Sequence, residues 1–123
     1  MAPPTERLMQ SFEQGDVVRV PFPYTDRSTR QRRPALVVSR GGLGEGGRLL
    51  WVAMITSAEN RSWADDIPFG GTYAKAGLPA PSLIRPCKLA TIESDHAEKI
   101  GRVNEDLLER VVAYLRRSIN PAA

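Results

Sequence analysis

The chain has 123 residues, 41% of them hydrophobic, which is enough for one domain with its own core and too few for two. Its net charge of +3 permits nucleic acid as a partner but does not require it. A single cysteine, Cys87, excludes an intrachain disulfide and a zinc-binding cysteine cluster, and a single histidine, His96, excludes a catalytic His–His pair within one chain.

The N-terminal segment, residues 1–14, is a polar lead-in that carries Pro3 and Pro4. We expect it to be poorly ordered unless it packs on a partner, and we expect residues 15–120 to form a single domain. The segment lacks the basic-then-apolar order of a signal peptide, and no apolar run approaches membrane-spanning length. The expected location is therefore the cytoplasm, with no membrane partner.

Two strand-like runs joined by an arginine-rich loop follow the lead-in. Residues 16–22 alternate, with Val17 on one side and Val18 on the other, which predicts a strand. Residues 35–38 are apolar throughout, as in a strand buried on both faces. The loop at 23–32 is either a solvated basic surface or a site for a polyanion. The polar side chains of the loop and its exit are Tyr24, Asp26, Arg27, Arg30, Arg32 and Arg33.

A glycine-rich segment, residues 41–47, leads into a third strand. It lacks the Lys-Ser/Thr ending of a phosphate-binding loop, which favours a flexible hairpin connection. Residues 48–56 are nearly all apolar and predict a central strand, with Trp51 in the core and Thr56 where the strand reaches the surface.

The second half of the chain predicts short strands and one helix. The predicted strands are residues 66–69, 82–85, 89–92 and 100–103, with 89–92 either continuing 82–85 or lying beside it. Trp63 is flanked by charges and is expected to be partly exposed. Residues 104–119 carry an apolar stripe at helical spacing, with Asn104 as the N-cap.

Four motifs, taken in order, resemble the MazF/PemK toxins of bacterial toxin–antitoxin pairs. They are GDVVRVPFPYTD, RRPALVVS, MITS and KLATI, beginning at Gly15, Arg32, Met54 and Lys88. The resemblance implies a mainly β, SH3-like barrel with a C-terminal helix, which forms a homodimer and is silenced by a cognate antitoxin. It also implies cleavage of single-stranded mRNA without a metal or other cofactor.

The resemblance also implies site residues. RNA supplies its own nucleophile, because the ribose 2′-OH attacks the adjacent phosphorus and leaves a 2′,3′-cyclic phosphate. Arg33 matches the family's catalytic arginine, and its guanidinium can grip two phosphate oxygens. Thr56 matches the catalytic threonine; a strand threonine satisfied by backbone is the alternative. Arg85 is a third candidate, although Cys87 stands where some relatives carry a carboxylate.

The remaining candidates have weaker support. Ser57 and Asp26 are candidates for catalysis or phosphate binding, and no spacing chooses Asp26 over other acids for the proton step. Aromatic and basic side chains near predicted loops suit splayed RNA bases and phosphates. The RNA-binding candidates are Tyr24, Arg27, Arg30, Arg32, Trp63 and Tyr73.

Two other functions stay open at this point. CcdB-type toxins have a similar fold but poison DNA gyrase through protein contacts, and an inactive barrel would bind RNA or peptide without cutting it. The Arg33–Thr56 pair favours the ribonuclease, because a gyrase poison does not need it. The Cys87 departure keeps the inactive barrel open.

Overall fold

A computed structural model describes residues 11–21, 31–120 and 122. Over these residues the chain forms six β-strands and one α-helix. In chain order they are β1 (Asp16–Val20), β2 (Arg33–Val37), β3 (Leu49–Ser57), β4 (Ile67–Pro68), β5 (Ser82–Glu93), β6 (Glu98–Arg102) and α1 (Glu105–Ile119).

The strands form one sheet in the order β4-β5-β3-β2-β1-β6, and all neighbouring strands are antiparallel. The longest strands, β3 and β5, pair along most of their lengths. The nearly unbroken apolar sequence of β3, LLWVAMITS, fits a strand flanked on both sides. The sheet is a half-barrel, and α1 packs on one face of it.

Side chains on the two faces of the sheet belong to two separate cores. The core on the α1 side contains Val17, Leu36, Ile55, Ile84, Leu107 and Val111. The core on the opposite side contains Phe12, Val18, Val37, Leu50, Val52 and Ala97. The predicted alternation in β1 is confirmed, because Val17 and Val18 lie in different cores.

The helix follows its sequence prediction closely. Asn104 caps it, because its Oδ1 accepts a hydrogen bond of 2.8 Å from the backbone N–H of Leu107. Acidic residues occupy the first turn and Arg116 and Arg117 the last, which suits the helix dipole. The described part of the chain contains no helix long and apolar enough to cross a membrane.

Three sequence expectations need correction or completion. Trp51 is not a core residue, because 52% of its surface is exposed. Its side of β3 is the α1 side, and near the end of the helix a cavity of about 540 Å³ separates the helix from the sheet. The predicted strands at 82–85 and 89–92 are one continuous strand, β5. In the lead-in, Phe12 is buried in the second core, while residues 1–10 lie outside the described residues.

A bulge in β5 shapes the end of the sheet that carries the candidate site. Ala53 of β3 lies opposite Leu89, but the next residue, Met54, lies opposite Arg85. The three residues 86–88 are therefore extra on the β5 side, and the first of them, Pro86, has no N–H to donate to the ladder. The bulge brings Cys87 and Lys88 beside the loop that precedes β4.

The glycine-rich segment forms the hairpin connection that its composition predicts. It joins β2 to β3 and is closed by a bridge between Leu43 and Leu49. Gly44, Gly46 and Gly47 all have positive φ, between 66° and 75°, a region that other residues rarely adopt.

Candidate functional site

Arg33 and Thr56 lie at the same level on neighbouring strands. In the β2–β3 ladder, Ala35 is opposite Met54 and Val37 is opposite Val52. Continuing this register by two residues brings Arg33, the first residue of β2, level with Thr56 near the end of β3. Opposed residues of antiparallel strands share a face. Both side chains therefore belong to the face opposite α1, which is the face of the second core.

The Arg33 side chain has a buried polar atom that lacks a partner. The residue is half-buried, and its Nε has no hydrogen-bond partner among the residues that the structure describes. A buried charged donor without a partner costs free energy, and proteins rarely leave one without a reason. An anion bound at this position would supply the missing acceptor.

Among the described residues, the hydroxyl of Thr56 is hydrogen-bonded to a side chain and not to the backbone. It is only 6% exposed, and its Oγ1 accepts a hydrogen bond of 2.6 Å from Nδ2 of Asn60. Because a hydroxyl has one proton and two lone pairs, this contact leaves the Thr56 proton available to donate. Asn60 itself is exposed.

Arg85 lies on the same face as Thr56. It is opposite Met54 in the β3–β5 ladder, and Met54 is two residues from Thr56 on the same strand. Arg85 is 6% exposed, and its charge is balanced by Asp66 through two parallel hydrogen bonds. Nε donates to Oδ1 at 3.1 Å, and Nη2 donates to Oδ2 at 3.0 Å. This forked geometry is the strongest form of the Arg–carboxylate pair.

The surroundings of Asp66 favour the ionised form of its carboxylate. Burial acts to raise its pKa, but the hydrogen bonds from Arg85 and from the backbone N–H of Trp63, together with the charge of Arg85, outweigh that effect. The pKa of Asp66 is therefore lower than that of a free aspartate. A carboxylate of this kind is a poor general base at neutral pH, but a good anchor for a guanidinium.

Trp63 covers one side of the Arg85 guanidinium. The guanidinium carbon lies 4.0 Å from the centroid of the ring, within cation–π distance. The ring is 39% exposed, which confirms the expectation of partial exposure, and it borders a depression of about 230 Å³ shared with Cys87 and Lys88. One face of the indole therefore packs on Arg85 while part of the ring remains open to solvent.

Three other predicted site residues lie elsewhere. Ser57 is exposed and, by strand alternation, points to the face opposite that of Thr56. Arg32 donates to the backbone carbonyls of Arg19 and His96, so it ties β1 to the turn before β6. Tyr73 is partly buried against the core on the α1 side, away from Arg33 and Thr56. Asp26, Tyr24, Arg27 and Arg30 lie outside the described residues.

Two residues of this arrangement were not among the sequence predictions. Asn60 sits in the loop after β3, and nothing in its sequence context marks it. Asp66 had a usable signal, because it directly precedes β4, whose Ile67 pairs with Ile84 of β5. Extending that ladder by one residue places Asp66 level with Arg85. Within the described residues, no group of three His, Cys, Asp or Glu side chains is placed to hold a metal ion.

Solved structures with the same fold are bacterial toxins. A MazE–MazF complex from Deinococcus radiodurans matches with a TM-score of 0.64 at 17% identity, over 89% of this chain and 95% of that chain. An endoribonuclease in complex with its cognate antitoxin from a mycobacterial species matches with a TM-score of 0.66 at 15% identity, over 90% and 95%. The Mycobacterium tuberculosis toxin MazF-mt6 matches with 0.56 at 22% identity, over 82% and 92%.

These likenesses define a MazF-type toxin fold, and they confirm the predicted mainly β barrel with a C-terminal helix. No curated protein sequence matches the chain. A family model for the PemK-like, MazF-like toxins of type II toxin–antitoxin systems matches residues 13–119. The chain belongs to this family, as its four motifs predicted. Toxins of the family are generally endoribonucleases.

Proposed function

We propose that this toxin is a sequence-selective endoribonuclease that cuts single-stranded mRNA without a metal ion. The observation that carries the proposal is the buried, unpartnered Nε of Arg33, on the same face and at the same level as the Thr56 hydroxyl. A cation and a hydroxyl donor at the same level of one face suit a phosphodiester whose charge increases during reaction.

The chemistry needs positioning, charge stabilisation and the net transfer of the 2′-OH proton to the departing 5′-oxygen. The ribose 2′-OH attacks the adjacent phosphorus, the bond to the 5′-oxygen breaks, and the products are a 2′,3′-cyclic phosphate and a 5′-OH end. Arg33 holds a non-bridging phosphate oxygen and stabilises the charge that develops on it. Thr56 donates its free proton to the phosphate. Trp63 offers the exposed part of its ring to a base of the bound strand.

We further infer that the toxin pairs with a second copy and with a cognate antitoxin. On the α1 side, exposed apolar side chains border the cavity between the helix and the sheet, which is the kind of patch that partners cover. They are Trp51, Leu89 and Ile119, at 52%, 38% and 81% exposure. Two of the similar solved structures are toxins in complex with an antitoxin. An mRNA target and an antitoxin partner both imply action in the cytoplasm.

The test is cleavage of a long unstructured RNA in EDTA by the wild-type protein and two variants. We expect the wild type to leave cyclic phosphate and 5′-OH ends, and we expect Arg33→Ala to lose at least about 100-fold in rate. Thr56→Val, which is nearly isosteric, should lose activity, while Thr56→Ser should retain most of it. Equal cleavage by Arg33→Ala would point to a contaminating nuclease and contradict the proposal.

The two alternative functions predict different results. RNA that binds tightly and is never cut indicates an inactive binding barrel. Trapped gyrase–DNA complexes in cells that express the toxin, with intact mRNA, indicate a gyrase poison.

A further inference from the structure

The loop between β3 and β4 holds the Arg85 guanidinium from three sides. Asp66 binds its Nε and Nη2 atoms, the carbonyl of Arg61 accepts a hydrogen bond of 2.8 Å from Nη2, and Trp63 covers one face. Asp66 is held in turn by the backbone N–H of Trp63, which donates to its Oδ2 at 2.8 Å. The guanidinium is therefore fixed in both position and plane.

One terminal nitrogen of Arg85 is left unused by this arrangement. Nη1 donates no hydrogen bond within the part of the chain that the structure describes. Arg85 is also a diagonal neighbour of Thr56, across one strand pair and two residues along. Side chains at diagonal positions of a sheet are within reach of each other when they are long. A phosphate beside the Thr56 hydroxyl is therefore within range of Nη1.

We propose that Asp66 is a positioning residue for RNA cleavage: it orients Arg85 so that Nη1 donates to the scissile phosphate beside Thr56. This role rests on the proposed ribonuclease function. Asp66 touches neither RNA nor the reacting atoms and acts only through Arg85. A guanidinium already locked in place loses less conformational freedom when the phosphate binds, and it meets the developing charge in the right plane.

A purely structural role is the competing explanation, because the same ion pair also fastens β4 to β5. The two roles differ in their effect on kinetics. A structural fastener affects stability, so its loss lowers activity only through the fraction of enzyme that is unfolded and leaves kcat per folded molecule unchanged. A positioning residue affects kcat in the folded enzyme, and only when Arg85 is present to be positioned.

The experiment is a double-mutant cycle between Asp66→Asn and Arg85→Met, measured as kcat and KM for a short fluorogenic RNA in EDTA. We expect Asp66→Asn alone to lower kcat by about 10- to 100-fold with little change in KM. In the Arg85→Met background the same substitution should change kcat by less than about threefold. Asp65→Asn, an exposed neighbour in the same loop, is the matched control and should cleave at the wild-type rate.

Several results would overturn the role. One is a wild-type kcat in folded Asp66→Asn, and another is an equal loss in both backgrounds. If Asp66→Asn does not fold, Arg85→Lys decides instead, because lysine keeps the charge but cannot bind Asp66 and phosphate as a planar fork. A wild-type rate in Arg85→Lys then overturns the role, and a loss in kcat supports it. A wild-type protein that cuts no RNA would overturn the ribonuclease proposal itself, and this role with it.

Discussion

Replacing Arg33 by methionine should make the toxin more stable and nearly inactive. Arg33 keeps a buried Nε that has no partner in the described part of the chain. Methionine fills the space of the aliphatic stem and has no donor to leave unsatisfied. The substitution therefore removes a desolvation cost from the folded state while it removes the cation that we assign to the phosphate.

The size of the stability gain follows from the buried atom. A buried donor without a partner costs about 1–3 kcal/mol, and we take the lower part of this range because only one guanidinium nitrogen is buried in this way. Unfolding entropy is about 2.1 cal/mol/K per residue, so for 123 residues each kcal/mol raises Tm by about 4 °C. We expect Arg33→Met to raise Tm by about 4–8 °C and to reduce RNA cleavage by at least about 100-fold.

The measurements are thermal unfolding at one fixed protein concentration, since a dimer's Tm depends on concentration, and cleavage in EDTA. Arg40→Met is the matched control, because Arg40 is exposed and its loss should change stability by less than about 0.5 kcal/mol. A fall in Tm of several degrees in Arg33→Met would show that Arg33 makes a stabilising contact, and our reading of its Nε would be wrong. A stabilised variant that still cuts RNA would remove Arg33 from the site.

Three further predictions concern the scaffold. Because the pKa of Asp66 is lower in the folded state, its ionised carboxylate stabilises the fold fully above the unfolded pKa of about 3.9. This stabilisation is lost as the pH falls further, through the folded pKa. The difference in unfolding free energy between wild type and Asp66→Asn, measured by urea titration, should therefore shrink between pH 6 and pH 3. Asn104→Ala removes the helix cap and should cost about 1 kcal/mol by urea unfolding, whereas no loss would mean that the cap is replaced by water. A Cβ on Gly101 would lie 2.0 Å from the carbonyl oxygen of Ala76, so Gly101→Ala should cost about 1–3 kcal/mol, while Gly71→Ala, with open space around it, should be neutral.

The sequence predicts most of the fold because local pattern and topology agree along most of the chain. The strand at β1, the hairpin at the glycine-rich segment and the capped helix each follow from residues within one element. Trp51 shows where this reasoning stops. An apolar residue in a central strand is buried only if another element covers its face of the sheet. The sequence of β3 does not show that α1 leaves a cavity beside Trp51.

The candidate site is harder to predict from sequence than the fold, because its contacts join residues of different strands. Arg33 and Thr56 could be chosen by their matches to the family, but their common level depends on the β2–β3 register. Asn60 contacts Thr56 from the loop that follows the same strand, and its role becomes visible only when that loop folds back. The predicted candidates in the loop at 23–32 stay predictions, Arg32 among them; the hydrogen bonds of Arg32 go to backbone carbonyls.

Cys87 stands where some relatives carry a carboxylate, and the structure shows that Arg85 has an acidic partner all the same. From sequence, a missing carboxylate two residues after Arg85 suggested an arginine without its acidic partner and kept an inactive barrel in view. In the structure Cys87 is exposed in the bulge, while Asp66 reaches Arg85 from the end of the loop that leads into β4. The chain thus retains an arginine–carboxylate pair although it lacks the local spacing. The absence of a carboxylate two residues after Arg85 therefore does not by itself indicate lost activity in this toxin, because Asp66 supplies a carboxylate at the level of Arg85 in the β4–β5 register.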